Sequence, residues 1–235
     1  MCHGEFHRTN KIKYRQMKKY LLLTIILFSV MTVTAQQISF DLMAGNEFHW
    51  NHNSNDPHIN LQMESDMGLS FQITIDQLTI GNWAYGFGMG YHSFSGDYYS
   101  ETGGNGGGAS TNITYQKQLI SFVVYPLYIV NKNYTMKAGI EGNSLLDETV
   151  KGTYEIWNIS QGITYYPIED GSRELNNQYN IGLNISAGYN IPLYKGFGIS
   201  PFISTYIGFV PEVEEYQRSA YPYRFFWGLS FYWKK

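Results

Sequence analysis

The stretch Tyr221–Trp233, YPYRFFWGLSFYW, decides how the rest of the chain is read. Every second residue is large and apolar: Tyr221, Tyr223, Phe225, Trp227, Leu229, Phe231 and Trp233. Those between them, Pro222, Arg224, Phe226, Gly228, Ser230 and Tyr232, are smaller or more polar on the whole. A period of two is the signature of a β-strand with one apolar face.

The same alternation recurs from residue 37 onward. Segment 37–50 sets Ile38, Phe40, Leu42, Phe48 and Trp50 against Ser39, Asp41, Glu47 and His49. Segment 68–78 sets Leu69, Phe71, Ile73 and Ile75 against Ser70, Gln72, Thr74 and Asp76, and 83–95 sets aromatics against glycines and His92. Segments 134–146, 180–193 and 197–210 follow the same rule. Segment 115–129 is the least regular, because LISFVVYPLYIV is a nearly continuous apolar run. With the opening stretch this makes eight strands. The connections at 79–82, 131–133 and 194–195 are tight; those at 51–67, 96–114, 147–179 and 211–220 are long and polar. Short and long alternate strictly.

This pattern predicts an all-β fold: an eight-stranded antiparallel up-and-down transmembrane β-barrel with short periplasmic turns and long extracellular loops. A soluble ligand-carrying barrel would place the apolar face inward. Three features favour the membrane form. Trp50, Trp83, Tyr134 and Trp233 sit on the apolar face at strand ends, as interfacial girdles require. The opposite face is rich in Gly, Ser and Asn, which suits a narrow polar lumen. The segments are also long enough to cross a bilayer when tilted.

Composition agrees. Aromatics make up 17% of the chain, with 21 tyrosines, and the mean hydropathy is −0.28, too low for a bundle of membrane helices. The one long apolar run, MKKYLLLTIILFSVMTVTA, reads as a signal peptide over 17–35, cleaved between Ala35 and Gln36. Residues 1–16 read as an extension ahead of the true start at Met17, and 36–235 as the barrel. The single cysteine, Cys2, falls in the discarded part, so neither disulfides nor thiolate chemistry are expected. Cleavage removes six basic residues and Glu5, leaving ten basic and eighteen acidic residues, a net charge of −8. That balance argues against a nucleic-acid partner.

Gly228, Phe231 and Trp233 together resemble the C-terminal assembly signal of outer-membrane β-barrels, a glycine followed by aromatics at alternate positions. The departures are Lys234 and Lys235 after the usual last aromatic, and Phe226 where a polar residue is usual. Over 36–235 the chain resembles the small bacterial outer-membrane β-barrel superfamily, in the OmpA/OmpX or PorT-like style. The resemblance implies residence in the bacterial outer membrane, contact with its lipid and lipopolysaccharide, and insertion by the barrel assembly machinery.

The predicted lumen face carries Asp41, Glu47, Asp76, Lys117, Lys137, Glu141 and Arg224. An eight-stranded barrel is just wide enough for side chains to fill, so these charges are expected to pair into a polar plug. The competing reading is a gated pore in which Lys137 and Glu141 exchange partners. His49 and His92 fall near the predicted mouth, with Glu47 and Ser70 on the same face. They suit either zinc ligation or acyl transfer, or simply pairing with lumen carboxylates. No spacing motif supports a site, so no catalytic residue, metal or cofactor is expected.

The glycines of GFGMG (86–90) lie within an alternating strand and make room in the lumen; they are not a phosphate loop. The acidic long loops read as solvated surface or as divalent-ion contacts to lipopolysaccharide. Loop 147–179 adds Tyr154, Ile156, Trp157, Ile159, Tyr165 and Tyr166, and is the candidate surface for an extracellular ligand or protein. The expected function is a non-enzymatic structural or surface-interaction barrel. The alternatives are a lipid-handling enzyme or hydrophobic-ligand conduit, and an accessory subunit of a secretion or assembly machine.

Overall fold

A computed structural model describes residues 37–52, 59–78, 83–104, 106–130, 133–168, 177–215 and 218–235. The expected extension 1–16, signal peptide 17–35 and cleavage point Ala35–Gln36 lie outside the described residues. Eleven strands follow in order: β1 (Gln37–His52), β2 (Ile59–Leu78), β3 (Trp83–Gly104), β4 (Gly107–Val130), β5 (Tyr134–Asn158), β6 (Gly162–Ile168), β7 (Tyr179–Tyr189), β8 (Ile191–Tyr194), β9 (Phe197–Gly208), β10 (Val213–Glu215) and β11 (Arg218–Lys234).

Eight of them close a ring. Strands β1 to β5 pair in sequence, β5 pairs β7, β7 pairs β9, β9 pairs β11, and β11 returns to β1, all antiparallel. The last ladder runs from Gln37 opposite Lys234 to His52 opposite Ser219. Closure leaves no free edge within the ring, which an apolar surroundings demands. Strands β6, β8 and β10 are short additions on β5, β9 and β11.

Burial identifies the two faces. Ser39, Asp41, Met43 and Glu47 of β1 are buried, whereas Ile38, Phe40, Leu42 and Phe48 are exposed. The outward aliphatics are not marginally open: Leu42, Leu69 and Val124 are 48%, 68% and 63% exposed. A continuous band of such residues, with polar side chains sealed inside, is a lipid-facing surface. The fold is therefore a transmembrane β-barrel of the outer-membrane type.

The sequence reading needs correction at the long-loop end. Segments 51–67 and 96–114 are mostly ladder, since β2 begins at Ile59, β3 runs to Gly104 and β4 begins at Gly107. Likewise β5 continues to Asn158 and folds back as β6. These strands were hidden because their polarity inverts beyond the lipid band. There the inward residues Tyr98, Ile113, Tyr115 and Val150 are buried and apolar, while Asn112, Thr114 and Gln116 face out. Water replaces lipid outside, so the preferred face for apolar side chains changes sides. In β4 the two regimes meet, and Leu119, Val123, Tyr125 and Leu127 point inward beside outward Val124. That is why LISFVVYPLYIV lacked a period.

β-bulges sit at this transition, between Asn46 and Phe48, between Ser65 and Leu69, and opposite the Gln118–Leu119 step. A one-residue insertion swaps the faces of a strand. In β5 it takes the inward set from Asn143 to Val150, and in β2 from Met63 to Ser70.

Small residues keep the lumen narrow where large ones cross it. A Cβ on Gly86 would overlap the Asp76 carboxylate and the Tyr125 ring. Gly86→Val should therefore cost about 1–3 kcal/mol through overpacking, measured by urea unfolding in micelles. Gly104→Val, with open space around it, should shift stability by no more than about 0.5 kcal/mol.

Candidate functional site: the lumen

The predicted lumen residues all face inward, but they form separate layers and not one network. The layer nearest the long hairpins is built from three strands and one connection. Strand β1 supplies Glu47 and His49, β4 supplies Lys117, β11 supplies Arg224, and Glu212 comes from the turn before β10. Lys117 Nζ lies 2.6 Å from Glu47 Oε1 and 2.7 Å from Glu212 Oε2. Arg224 donates from Nε to Glu47 Oε2 at 2.6 Å and from Nη2 to Glu212 Oε1 at 2.9 Å. Two carboxylates and two cations thus close a ring of charge, 0–2% exposed, with no net charge of its own. His49 Nε2 lies 3.0 Å from Glu212 and 3.6 Å from Glu47.

Backbone contacts hold these groups in place. The Glu47 amide donates to Ser65 Oγ at the β2 bulge, at 2.8 Å. The Glu212 amide donates to Ala220 O at 2.7 Å, and its carbonyl accepts from Asn177 at 2.6 Å. The Arg224 guanidinium faces Tyr206 and Phe94, 4.8 and 5.3 Å from their ring centroids, a cation–π arrangement.

Apolar layers lie on both sides. Met63, Tyr98, Ile113, Tyr115, Val150, Val213 and Ala220 cover the ion ring towards the hairpins. Met43, Phe94, Leu119 and Phe226 lie beneath it. His92 stacks against Phe94 and Phe226, with Nδ1 2.9 Å from Ser70 Oγ and Nε2 2.8 Å from Ser121 Oγ. Glu141 accepts from Asn184 at 2.6 Å and lies 3.9 Å from His92.

The third layer, towards the short turns, centres on Asp76. It accepts from Tyr125 at 2.7 Å and Gln37 at 3.5 Å, and Lys137 lies 3.5 Å away. Lys137 also donates to Tyr125 at 3.1 Å. Asp41 stands opposite Ser230 on β11 and lines the same polar cavity of about 50 Å³, room for a few waters. The Lys137–Glu141 pair that the competing pore reading invoked is not formed, since Lys137 turns to Asp76 and Glu141 to Asn184.

These positions decide among the sequence readings. His49 and His92 belong to different layers, so they do not share a metal. Glu47, His49 and Glu212 do bring ligand atoms within 4.8 Å of one another. Both carboxylates, however, already carry Lys117 and Arg224, and a divalent ion would have to displace or repel two fixed cations. Ser70 does meet His92, as acyl transfer would require, but both are nearly fully buried and neither lines the polar cavity.

Glu212 is the residue that sequence reasoning missed. It sits in PEVEE beside Glu214 and Glu215 and reads as solvated loop charge. No periodicity marks it, and only the fold of the turn onto β11 brings it inside. Of the assembly-signal residues, Phe231 and Trp233 lie on the outward face opposite Phe40 and Ile38, while Gly228 packs against the β1 backbone.

At the hairpin end, Ile159, Ile163 and Tyr165 of the β5–β6 hairpin are 81%, 60% and 62% exposed. Above the lipid band Tyr99 donates to Glu101 at 2.9 Å, and that carboxylate raises the phenol pKa.

No protein-family model matches the chain, and no curated protein matches it in sequence. Solved structures do resemble it. Ail, the attachment invasion locus protein of Yersinia pestis, is 8% identical, with 84% of this chain and 98% of that one covered and a TM-score of 0.40. Neisserial surface protein A is 10% identical over 86% and 98% of the two chains, with a TM-score of 0.39. The outer membrane protein OprG of Pseudomonas aeruginosa is 11% identical over 86% and 98%, with a TM-score of 0.42. Each of these is a protein this chain is similar to in overall form.

Removing one member of the ion ring strands its partners in a dry interior. Glu212→Gln should cost about 3–5 kcal/mol of unfolding free energy. Glu212→Gln combined with Lys117→Met, which leaves Glu47 with Arg224, should cost much less. Urea titration followed by tryptophan fluorescence reads both. A single variant as stable as the parent would contradict the buried ring.

Proposed function

We propose that this protein is an exported, non-enzymatic outer-membrane β-barrel whose lumen is a plug, and whose role lies on the surface of its extracellular hairpins. The observation that carries the reading is the ion ring of Glu47, Lys117, Glu212 and Arg224, sealed between two apolar layers. An ion crossing the lumen would have to break charge pairs that no water reaches, and a permanent conduit for hydrophobic ligand would meet a polar wall.

The short turns face the periplasm in this reading, and the hairpins face the outside. Strands β2 to β6 rise beyond the lipid band as a sheet, and β6 pairs only with β5 among the described residues. Ile159, Ile163 and Tyr165 are exposed on that projection, where aromatic and aliphatic side chains are found at binding surfaces. The partner is an extracellular protein or ligand that covers this hairpin, within a surface otherwise in contact with lipopolysaccharide.

Two measurements test the proposal. The purified barrel should migrate at a shifted position in SDS gels until heated and should insert into planar bilayers without discrete conductance. Stable single-channel steps, altered in Glu212→Gln without loss of folding, would overturn the plug.

A further inference from the structure

The polar cavity towards the short turns holds more negative than positive charge. Among the described residues its lining includes two carboxylates, Asp41 and Asp76, against one ammonium, Lys137. Both oxygens of Asp76 are engaged, by Tyr125 on one side and by Lys137 and Gln37 on the other. Asp41 is different: it is 6% exposed, and its Oδ1 accepts no hydrogen bond. Behind Asn184, Glu141 is a third buried carboxylate, and its Oε1 is likewise unbonded. Lys195 and Lys234, at the short-turn end, line a different cleft. The ion ring, by contrast, sets two cations against two carboxylates. A buried carboxylate without compensation is costly, and such charges are normally paired or coordinate a metal ion.

Strand register surrounds Asp41 with oxygen atoms. Ser230 on β11 and Gln72 on β2 stand directly opposite it, Ser39 lies on the same face of β1, and Thr74 is opposite Ser39. Inward side chains at such neighbouring ladder positions come within reach of one another. Thr74 Oγ1 is buried and, like Asp41 Oδ1, has no hydrogen-bond partner. Both residues line the same space of about 50 Å³. A carboxylate among neutral hydroxyl and amide oxygens is a site for a hard cation. One free carboxylate with the Lys137 ammonium in the same cavity favours a singly charged ion, because a divalent one is repelled twice as strongly. Room for a few waters is too little for a bulky organic cation.

We propose that this cavity binds a monovalent alkali cation, sodium or potassium, at Asp41. The hydroxyls of Thr74, Ser39 and Ser230 are its neutral ligands, and water completes its shell. The ion enters from the short-turn end, where Gln37 and Asn190 line the cavity. It goes no further, because Met43, Phe94, Leu119 and Phe226 close the lumen beneath the ion ring. The site rests on the plug reading only in being a dead end, which bilayer recording tests separately.

The test is urea unfolding of the barrel in non-ionic micelles at fixed pH and ionic strength, with choline chloride replaced stepwise by sodium or potassium chloride. A ligand that binds only the native state stabilises it in step with the logarithm of its concentration, so the parent's unfolding midpoint should rise. Asp41→Asn should abolish the rise. Thr74→Val, which keeps shape and charge, should raise the half-saturating concentration about fivefold, the equivalent of about 1 kcal/mol for one lost oxygen ligand. Glu64→Gln, exposed on β2 towards the hairpins, should respond as the parent does. Sodium NMR reads the ion directly, through line broadening by the parent that Asp41→Asn loses. Folding of every variant is checked by the heat shift, and Thr74→Val carries the test if Asp41→Asn does not fold. A midpoint indifferent to the exchange of choline for sodium and potassium overturns the site. So does a response that survives both substitutions, or one to calcium alone.

Discussion

Everything inside this protein depends on the ladder between β1 and β11. Until those two strands meet, Glu47 and Arg224 are 177 residues apart in the chain; once they pair, the two side chains face one another across a single register step. The same closure satisfies the backbone groups of the two strands that would otherwise be edges in lipid, where an unpaired amide costs several kcal/mol. Ring closure and charge pairing are thus one event. The strand that completes the barrel also carries the cation that completes the plug.

The plug is layered, and the layers have different physics. The ion ring is dry and neutral as a unit, so its members cost little together and a great deal singly. Such groups are weak evidence for stability, because hydrophobic residues of similar volume often do as well. What they do supply here is registration. The ring is satisfied only when β1, β4, β11 and the turn before β10 stand at one height. The Asp76 layer towards the short turns is wetter, with Lys137 at 19% side-chain exposure and a cavity beside it. The two ends of the lumen therefore differ: one is sealed by apolar side chains, the other keeps a polar cavity with room for a few waters.

The outer surface is divided in the same way. Along the lipid band apolar residues face out, and beyond it they face in, so the hairpins form a sheet with its own small core. At the opposite end the lipid band finishes in tyrosines and tryptophans, among them Trp83, Tyr134, Tyr194 and Trp233.

Much of this was legible without coordinates. The period of two located seven of the eight ring strands and a nearly continuous apolar run the eighth, and the residue types on the two faces assigned lipid to one and lumen to the other. Six of the seven charged lumen residues, all but Lys117, were placed on the inner face by parity alone, because a strand alternates strictly and its environment changes slowly along it. Parity was blind in three places. It lost β2, β3, β4 and β5 beyond the lipid band, where the outside solvent becomes water and the apolar face changes sides. It read Glu212 as solvated, because a turn has no period and only the backbone bond to Ala220 folds it inward. It could not say which lumen charges pair: Lys137 meets Asp76 on β2 and Tyr125 on β4, not Glu141 four residues along its own strand as the competing pore reading had it. The sequence by itself determined which side chains enter the lumen; tertiary structure alone decided which of them touch. Facing direction follows from local strand geometry, whereas contact across a barrel follows from the stagger of strands far apart in the chain.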